Sequence, residues 1–254
     1  MKIIVCCKIV RDEQEIRVLP SKELDLSAAP WKISQYDLNA IEAAKKLSAE
    51  TSSTFTALSV GNTNALESSK IRKDVLSRGP DELNLVIDDK HSFSDSLETA
   101  KALAAALKNT DGFDLVLCGT GSGDLYSQEV GVQLGTLLDI PVVNNVTNIT
   151  EKNGVLEVER TLEDEVEVLE VPLPAVLSVS SDINVPSVPA MKEIMRAGKK
   201  PVNILEVSLD DVIPSVEQLS ELVPEKQPRR MEIIEGDNEE AVDALYQFLK
   251  KEIL

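Results

Sequence analysis

The sequence predicts an α/β protein: an open, mostly parallel sheet with helices on both faces, extended by a β-hairpin and an extended C-terminal arm. Three observations carry this reading. Four short apolar runs alternate with segments of helical periodicity between Ile3 and Leu138, the pattern of strands connected by crossover helices. Apolar residues then alternate with acidic or polar ones in Val155 to Arg160 and Val166 to Val171, as in an antiparallel hairpin with one wet face. Beyond Ser181, Pro186, Pro189, Pro201, Pro214, Pro224 and Pro228 cut the chain into short pieces, which suits a segment laid over another surface better than an independent core.

Taken in order, Ile3 to Cys7 is apolar on both faces, as a parallel strand covered from both sides must be. Ile16 to Leu19 predicts a short extended piece before Pro20. Ser34 to Leu47 begins with the cap-competent Ser34 and Asp37 and carries Leu38, Ile41, Ala44 and Leu47 at helical spacing. Phe55 to Val60 predicts the second strand, Ala65 to Ser77 a helix with Leu66, Ile71, Val75 and Leu76 inward, and Leu83 to Ile87 the third strand. Leu97 to Leu107 is built from the strongest helix formers. Leu115 to Cys118 is the fourth strand and Val130 to Leu138 the helix behind it, while Ala175 to Val179 returns as a buried strand. Glu239 to Leu254 places Ala241, Val242, Leu245, Phe248 and Leu249 on one helical face.

Composition excludes several classes of function. A 254-residue chain with 43% hydrophobic residues buries a sizeable core, and a net charge of -18 opposes non-specific binding to nucleic acid or an anionic membrane. Cys6, Cys7 and Cys118 lie in expected buried strands without metal-ligand spacing, and His91 is the one histidine, so neither a metal site nor a disulfide framework is expected. His91 has no acidic or cysteine partner at motif spacing. The opening MKIIVCCKIV is interrupted by Lys8 and Arg11 too early for a signal peptide or membrane span, and a cytoplasmic protein is expected.

The most informative stretch follows the fourth strand. Gly119, Gly121 and Gly123 fall within five positions between that strand and a helix, where main-chain N–H groups approach a ligand unhindered and a helix N-terminus favours an anion. Ser122, Asp124 and Ser127 add side-chain hydrogen-bonding groups. The spacing matches neither G-x-G-x-x-G nor a Walker loop, and a tight turn that needs glycine only for its dihedrals explains it equally. In an open α/β sheet ligands sit beyond the carboxyl ends of the strands. Lys8 to Val10 and Val60 to Asn62 occupy two further such ends, so three loops are expected to converge on one nucleotide.

The succession MKIIVCCKIV, KISQYDLNAIEAA, SKIRKDVLSRG, GSGDLYSQEVG, VERTLEDEVEVLEVPLPAVLSV and PAMKEIMRAGKKPV resembles the small (beta) subunit of electron transfer flavoprotein, nearest to the Fix-type branch associated with anaerobic and nitrogen-fixing metabolism. The most specific block is Val158 to Leu177, with Arg160, Glu163, Asp164, Glu165, Glu167, Leu169 and Pro174 at the family's spacing; Ser178 departs conservatively from it. The resemblance implies an adenine-nucleotide-binding, Rossmann-like domain over 1–180 with hairpin 155–171, then a partner-docking loop and C-terminal arm over 181–254. It implies an electron carrier rather than an enzyme acting alone, working as a heterodimer whose large (alpha) subunit holds most of a noncovalent FAD. The small subunit would bury an AMP, or a second FAD in bifurcating members.

Carried over residue by residue, that pocket involves the backbone near Cys6, the turn from Ser34 to Asp37, Val60, and the loop from Gly121 through Ser122, Gly123, Asp124, Ser127, Gln128 and Glu129 to Val130. Gly119 and Lys8 belong to the same set. Leu125 and Tyr126 replace residues commonly acidic, and Glu129 stands where glutamine is common; a glutamate aimed at a phosphate repels it unless it points away or Lys8 or a backbone nest offsets it. The resemblance places Arg160 near the neighbouring chain's flavin. It makes Met191 the anchor that enters a partner dehydrogenase, such as one of acyl-CoA type, with Lys192, Arg196, Lys199 and Lys200 as a basic rim. Ile194 and Met195 as core residues of a short helix, with solvated lysines, is the competing reading. Two other functions are carried forward: a free-standing nucleotide-binding sensor or stress-type protein, and a nucleotide-processing enzyme of the same fold.

Overall fold

In a computed structural model, residues 1–225 and 231–253 are described; Pro228 and Leu254 lie outside them. The elements in chain order are β1 (Lys2–Cys6), β2 (Ile9–Arg11), β3 (Arg17–Val18), β4 (Leu24–Asp25), β5 (Trp31–Ile33), α1 (Gln35–Thr51), β6 (Thr54–Gly61), α2 (Thr63–Leu66), α3 (Ser69–Ser77), β7 (Glu82–Ile87), α4 (Ser96–Lys108), β8 (Leu115–Gly119) and α5 (Val130–Leu138). They continue with β9 (Val142–Lys152), β10 (Val155–Thr161), β11 (Val166–Val171), β12 (Ala175–Val179), α6 (Met191–Ala197), β13 (Val202–Ile204) and α7 (Glu239–Ile253). Nine strands form one sheet in the order β11-β10-β9-β12-β8-β1-β6-β7-β13.

The parallel part runs from β9 to β13, and β10 and β11 extend it antiparallel at one edge. Alternate residues of each central strand enter opposite cores. Ile3 and Val5 of β1 face α1, α2, α3 and α6, where Ile41, Leu47, Leu66, Ile71, Leu76 and Ala197 close the layer. Ile4 and Cys6 face α4 and α5, through Leu103, Leu107 and Leu134, together with Leu209 and Val212 of the later chain. Both faces are covered, which is why the strands read as unbroken apolar runs.

The structure corrects or extends four expectations. The helix expected over Ala65 to Ser77 is two, α2 and α3, with separate caps at Asn62 and Ser68. The hairpin is part of a three-stranded antiparallel set, because the long polar-looking β9 pairs with β12 on one side and β10 on the other. The proline-broken segment is not all surface arm: β13 adds a parallel strand beside β7, and Ser215 N–H donates to Asp95 Oδ2. His91 has an acidic partner after all, with Nδ1 2.8 Å from Oε1 of the wholly buried Glu98.

By compactness the chain divides into Met1–Glu221 and a unit starting at Leu222. Within the second, α7 buries Ala241, and Ile234, Val242, Leu245 and Phe248 line a shallow cavity. No helix among the described residues is long and apolar enough to cross a membrane.

Close packing in the first unit depends on small residues at the helix-sheet contacts. A Cβ at Gly135 of α5 would lie 2.7 Å from Val142 Cβ. Gly135→Ala is expected to lower unfolding stability by about 1–3 kcal/mol through overpacking. In urea titrations the double variant with Val142→Gly, which removes the Cβ met at that contact, should lose less than the sum of the two single losses.

Candidate functional site

The chain leaves β1 through α1 to β6 and β7 on one side, then returns through α4 to β8 on the other. Loops that depart in opposite directions leave a crevice at the carboxyl ends of β1 and β8. A cleft with about 730 Å³ of free space, part of it open to solvent, occupies that place. Its floor is Cys6 at the end of β1 with Cys7 and Lys8 just past it, Val60 of β6, and Cys118 to Ser122 at the end of β8. One wall is Phe93 to Ser96, Thr99 and Leu103 at the start of α4, and the other is Leu125 and Ser127 to Gly131 entering α5.

Asp37, in the first turn of α1, fixes the two strand ends. Its Oδ2 accepts from Lys8 N–H at 2.7 Å and its Oδ1 from Gly119 N–H at 3.2 Å. Gly119 lets α1 come this close: a Cβ there would lie 2.7 Å from both Asp37 Oδ1 and the Tyr36 carbonyl carbon. Burial pushes the Asp37 carboxyl up to about 7, against the hydrogen bonds from Lys8 and Gly119, the Lys8 charge and the Ser34 hydroxyl, which all pull it down. Ser34 also accepts from Gly123 N–H at 3.2 Å, so the start of α1 anchors the glycine loop at two points. Hydrogen bonding to Cys118, then burial, raises the Cys6 thiol well above its ordinary value, and burial raises Cys7. All three cysteines are free and buried, giving the cleft a neutral floor.

The wall before α5 offers main-chain donors at exposed positions. Gln128 has φ 61° and Glu129 lies in the right-handed helical region, an alternation that turns successive N–H groups toward one point. The N–H groups of Ser127, Gln128 and Glu129 donate to no acceptor among the described residues. The first turn of α5 adds its own unpaired donors. Lys8 Nζ lies 2.7 Å from Asp124 Oδ2. Burial raises the Asp124 carboxyl, but the Lys8 charge and the bonds from Lys8, Ser122 and Leu125 outweigh it and hold the group below the usual range. Glu129 turns its Oε2 to Ser96 Oγ, at 2.6 Å.

Of the sequence-derived cofactor residues, the cleft lining brings together Cys6, Lys8, Asp37, Val60, Gly119, Gly121, Ser122, Ser127, Gln128, Glu129 and Val130. Ser34, Gly123 and Asp124 stand just behind it. Arg160 is not among the lining residues: on β10 it donates to Glu167 at 2.6 Å and Asn144 at 3.2 Å. The wall from Phe93 to Thr99 was missed. Its signal was the run Ser92-Phe93-Ser94-Asp95 ahead of a strong helix and just past the third strand's carboxyl end; Asp95 is the α4 N-cap, accepting from Leu97 N–H at 2.9 Å.

On the other side of the sheet, α6 packs against α3 and exposes Met191, Met195 and Ile194, at 73%, 73% and 44%. Lys192, Arg196 and Lys199 are exposed around them. Lys200 is spent differently: its ammonium donates to the carbonyls of Leu76, Gly79 and Pro80 at the end of α3, where a cation complements the helix dipole.

For Asp37, a folded-state pKa near 7 against an ordinary 3.8 means that the folded protein holds a proton the unfolded chain has lost. The stability gained is complete below about pH 4 and is lost as pH rises through about 7, at up to ~1.4 kcal/mol per unit. Urea titrations at pH 5 and pH 8 should show this loss in the native chain and not in Asp37→Asn, which should also be weaker at both by about 1–3 kcal/mol, because its amide turns a donor toward a backbone donor.

The cleft thus combines unpaired main-chain amides on one wall with the apolar side chains of Val60, Phe93 and Leu103. The family model described as Electron transfer flavoprotein domain matches residues 24–210. That span holds α1, the glycine loop, the α5 entrance and helix α6, and the chain belongs to the electron transfer flavoprotein family, whose members carry electrons through a bound flavin.

Proposed function

We propose that this chain is the small (beta) subunit of a heterodimeric electron transfer flavoprotein of the Fix-type branch. Its cleft holds an adenine nucleotide, either AMP or the adenosine half of a second FAD. The supporting observation is the set of unpaired N–H groups at Ser127 to Glu129, beside the N-terminus of α5 and at the sheet's switch point. Those amides, with Gly121 and Ser122, take the phosphate; Val60, Phe93 and Leu103 take the adenine. Asp37 and Ser34 hold the loop that presents the amides. Flavin supplies the redox chemistry when bound, and the protein supplies binding, orientation and electrostatics.

The large subunit holds most of the FAD, with Arg160 and its hairpin directed to that neighbour. Met191 and Met195, ringed by Lys192, Arg196 and Lys199, form the docking surface for a dehydrogenase, the acyl-CoA type being the one the sequence resemblance suggests. Methionine suits an adaptable contact and the cations orient an encounter on an otherwise acidic protein.

Co-expression with a large flavoprotein subunit, followed by acid release, should yield either one FAD with one AMP or two FAD per heterodimer. A complex holding one FAD and no adenylate in this chain would defeat the assignment of the cleft. Met191→Asp should retain its nucleotide and lose at least tenfold in the rate of electron transfer from the dehydrogenase, with unchanged transfer counting against the docking surface.

A further inference from the structure

Resting on the adenine-nucleotide reading of the cleft, we infer that Glu129 sets the charge of the phosphate accepted: a singly charged phosphate, as in a 5′-phosphodiester, is favoured over the dianion of a free phosphomonoester. Among the lining residues the cation is Lys8, and it is already paired with Asp124 at 2.7 Å. The carboxylates in the lining are Asp37, Asp95 and Glu129. Two of these are committed to main-chain donors, Asp37 to Lys8 and Gly119 and Asp95 to Leu97 and Ser215.

Glu129 differs in its partners. Its Oε2 accepts from Ser96 Oγ at 2.6 Å and Gln133 Nε2 at 3.3 Å, and Gln133 Nε2 also reaches Ser96 Oγ at 3.2 Å. These neutral donors orient the carboxylate without cancelling its charge. The same residue contributes one of the unpaired N–H groups of the seat, so an anion held there stays within a side chain's length of that carboxylate. Near neutral pH a phosphomonoester carries about 1.5 to 2 negative charges, with a second ionisation near 6, whereas a diester carries one. Within about 10 Å of Glu129, at the effective dielectric of a protein surface, its repulsion of one further charge on the phosphate weakens binding by about tenfold relative to the same seat without that carboxylate. The backbone amides thus attract an anion while Glu129 limits its charge.

The test uses the full-length chain, freed of co-purified nucleotide, with AMP, adenosine 5′-methylphosphate and adenosine as probes in calorimetry at pH 7.5. The native protein should bind the methyl ester about tenfold more tightly than AMP. Glu129→Gln, which can still accept from Ser96, should close that gap by gaining affinity for AMP while adenosine binding stays unchanged, and Glu129→Ala should do the same. Phosphorus NMR of bound AMP should show its second ionisation shifted upward in the native protein and returned toward the free value in either variant. An equal AMP-to-ester ratio in native and variant proteins, with an unchanged phosphate titration, overturns the role of Glu129 and leaves the nucleotide site standing. Failure of every protein to bind all three probes overturns the reading of the cleft, and this inference with it.

Discussion

One carboxylate closes the architecture of the cleft. Asp37 accepts main-chain hydrogen bonds from Lys8, just past β1, and from Gly119, the last residue of β8. These strands are neighbours whose connections depart in opposite directions, the place where an α/β sheet opens. Without a shared acceptor each N–H would have to find water or go unpaired in a half-buried position. Glycine at 119 is the matching requirement, because a side chain there would collide with the first turn of α1. The glycine loop then hangs from a fixed end and is caught again by Ser34, so the amides at Ser127 to Glu129 are presented by a rigid frame.

Charge is distributed unevenly around that frame. A chain of net charge -18 lines its cleft with unpaired main-chain amides rather than with free lysines, and spends Lys8 on Asp124. Lys192, Arg196 and Lys199 are exposed instead beside the methionines of α6. Lys200 shows how sequence proximity misleads here: it is adjacent to Lys199, yet three carbonyls at the end of α3 bind its ammonium. It therefore stabilises the surface on which α6 rests rather than facing outward.

The parallel core was legible because double burial writes itself as unbroken apolar runs, as in Ile3 to Cys7 and Leu115 to Cys118. Strand β9 escaped because only part of it is covered: Val143 and Val146 are buried, while Asn144, Asn145 and Asn148 face outward. Strand β13 escaped because it is three residues long at the sheet edge, next to Pro201. In the cleft, the glycine loop announced itself by composition. The wall from Phe93 to Thr99 did not, since serines ahead of a helix read as an ordinary cap, and its place opposite α5 is a tertiary fact. The same holds for the pairing of His91 with Glu98, seven residues apart across a loop and a helix turn.

Amide hydrogen exchange on the purified full-length chain, with and without AMP, addresses the central claim at residue resolution. Slowed exchange concentrated at Ser127, Gln128 and Glu129, with Gly121 and Ser122 following, is the result predicted by a phosphate seated on those amides at the junction of β1 and β8. Unchanged exchange across that loop at saturating AMP would contradict it.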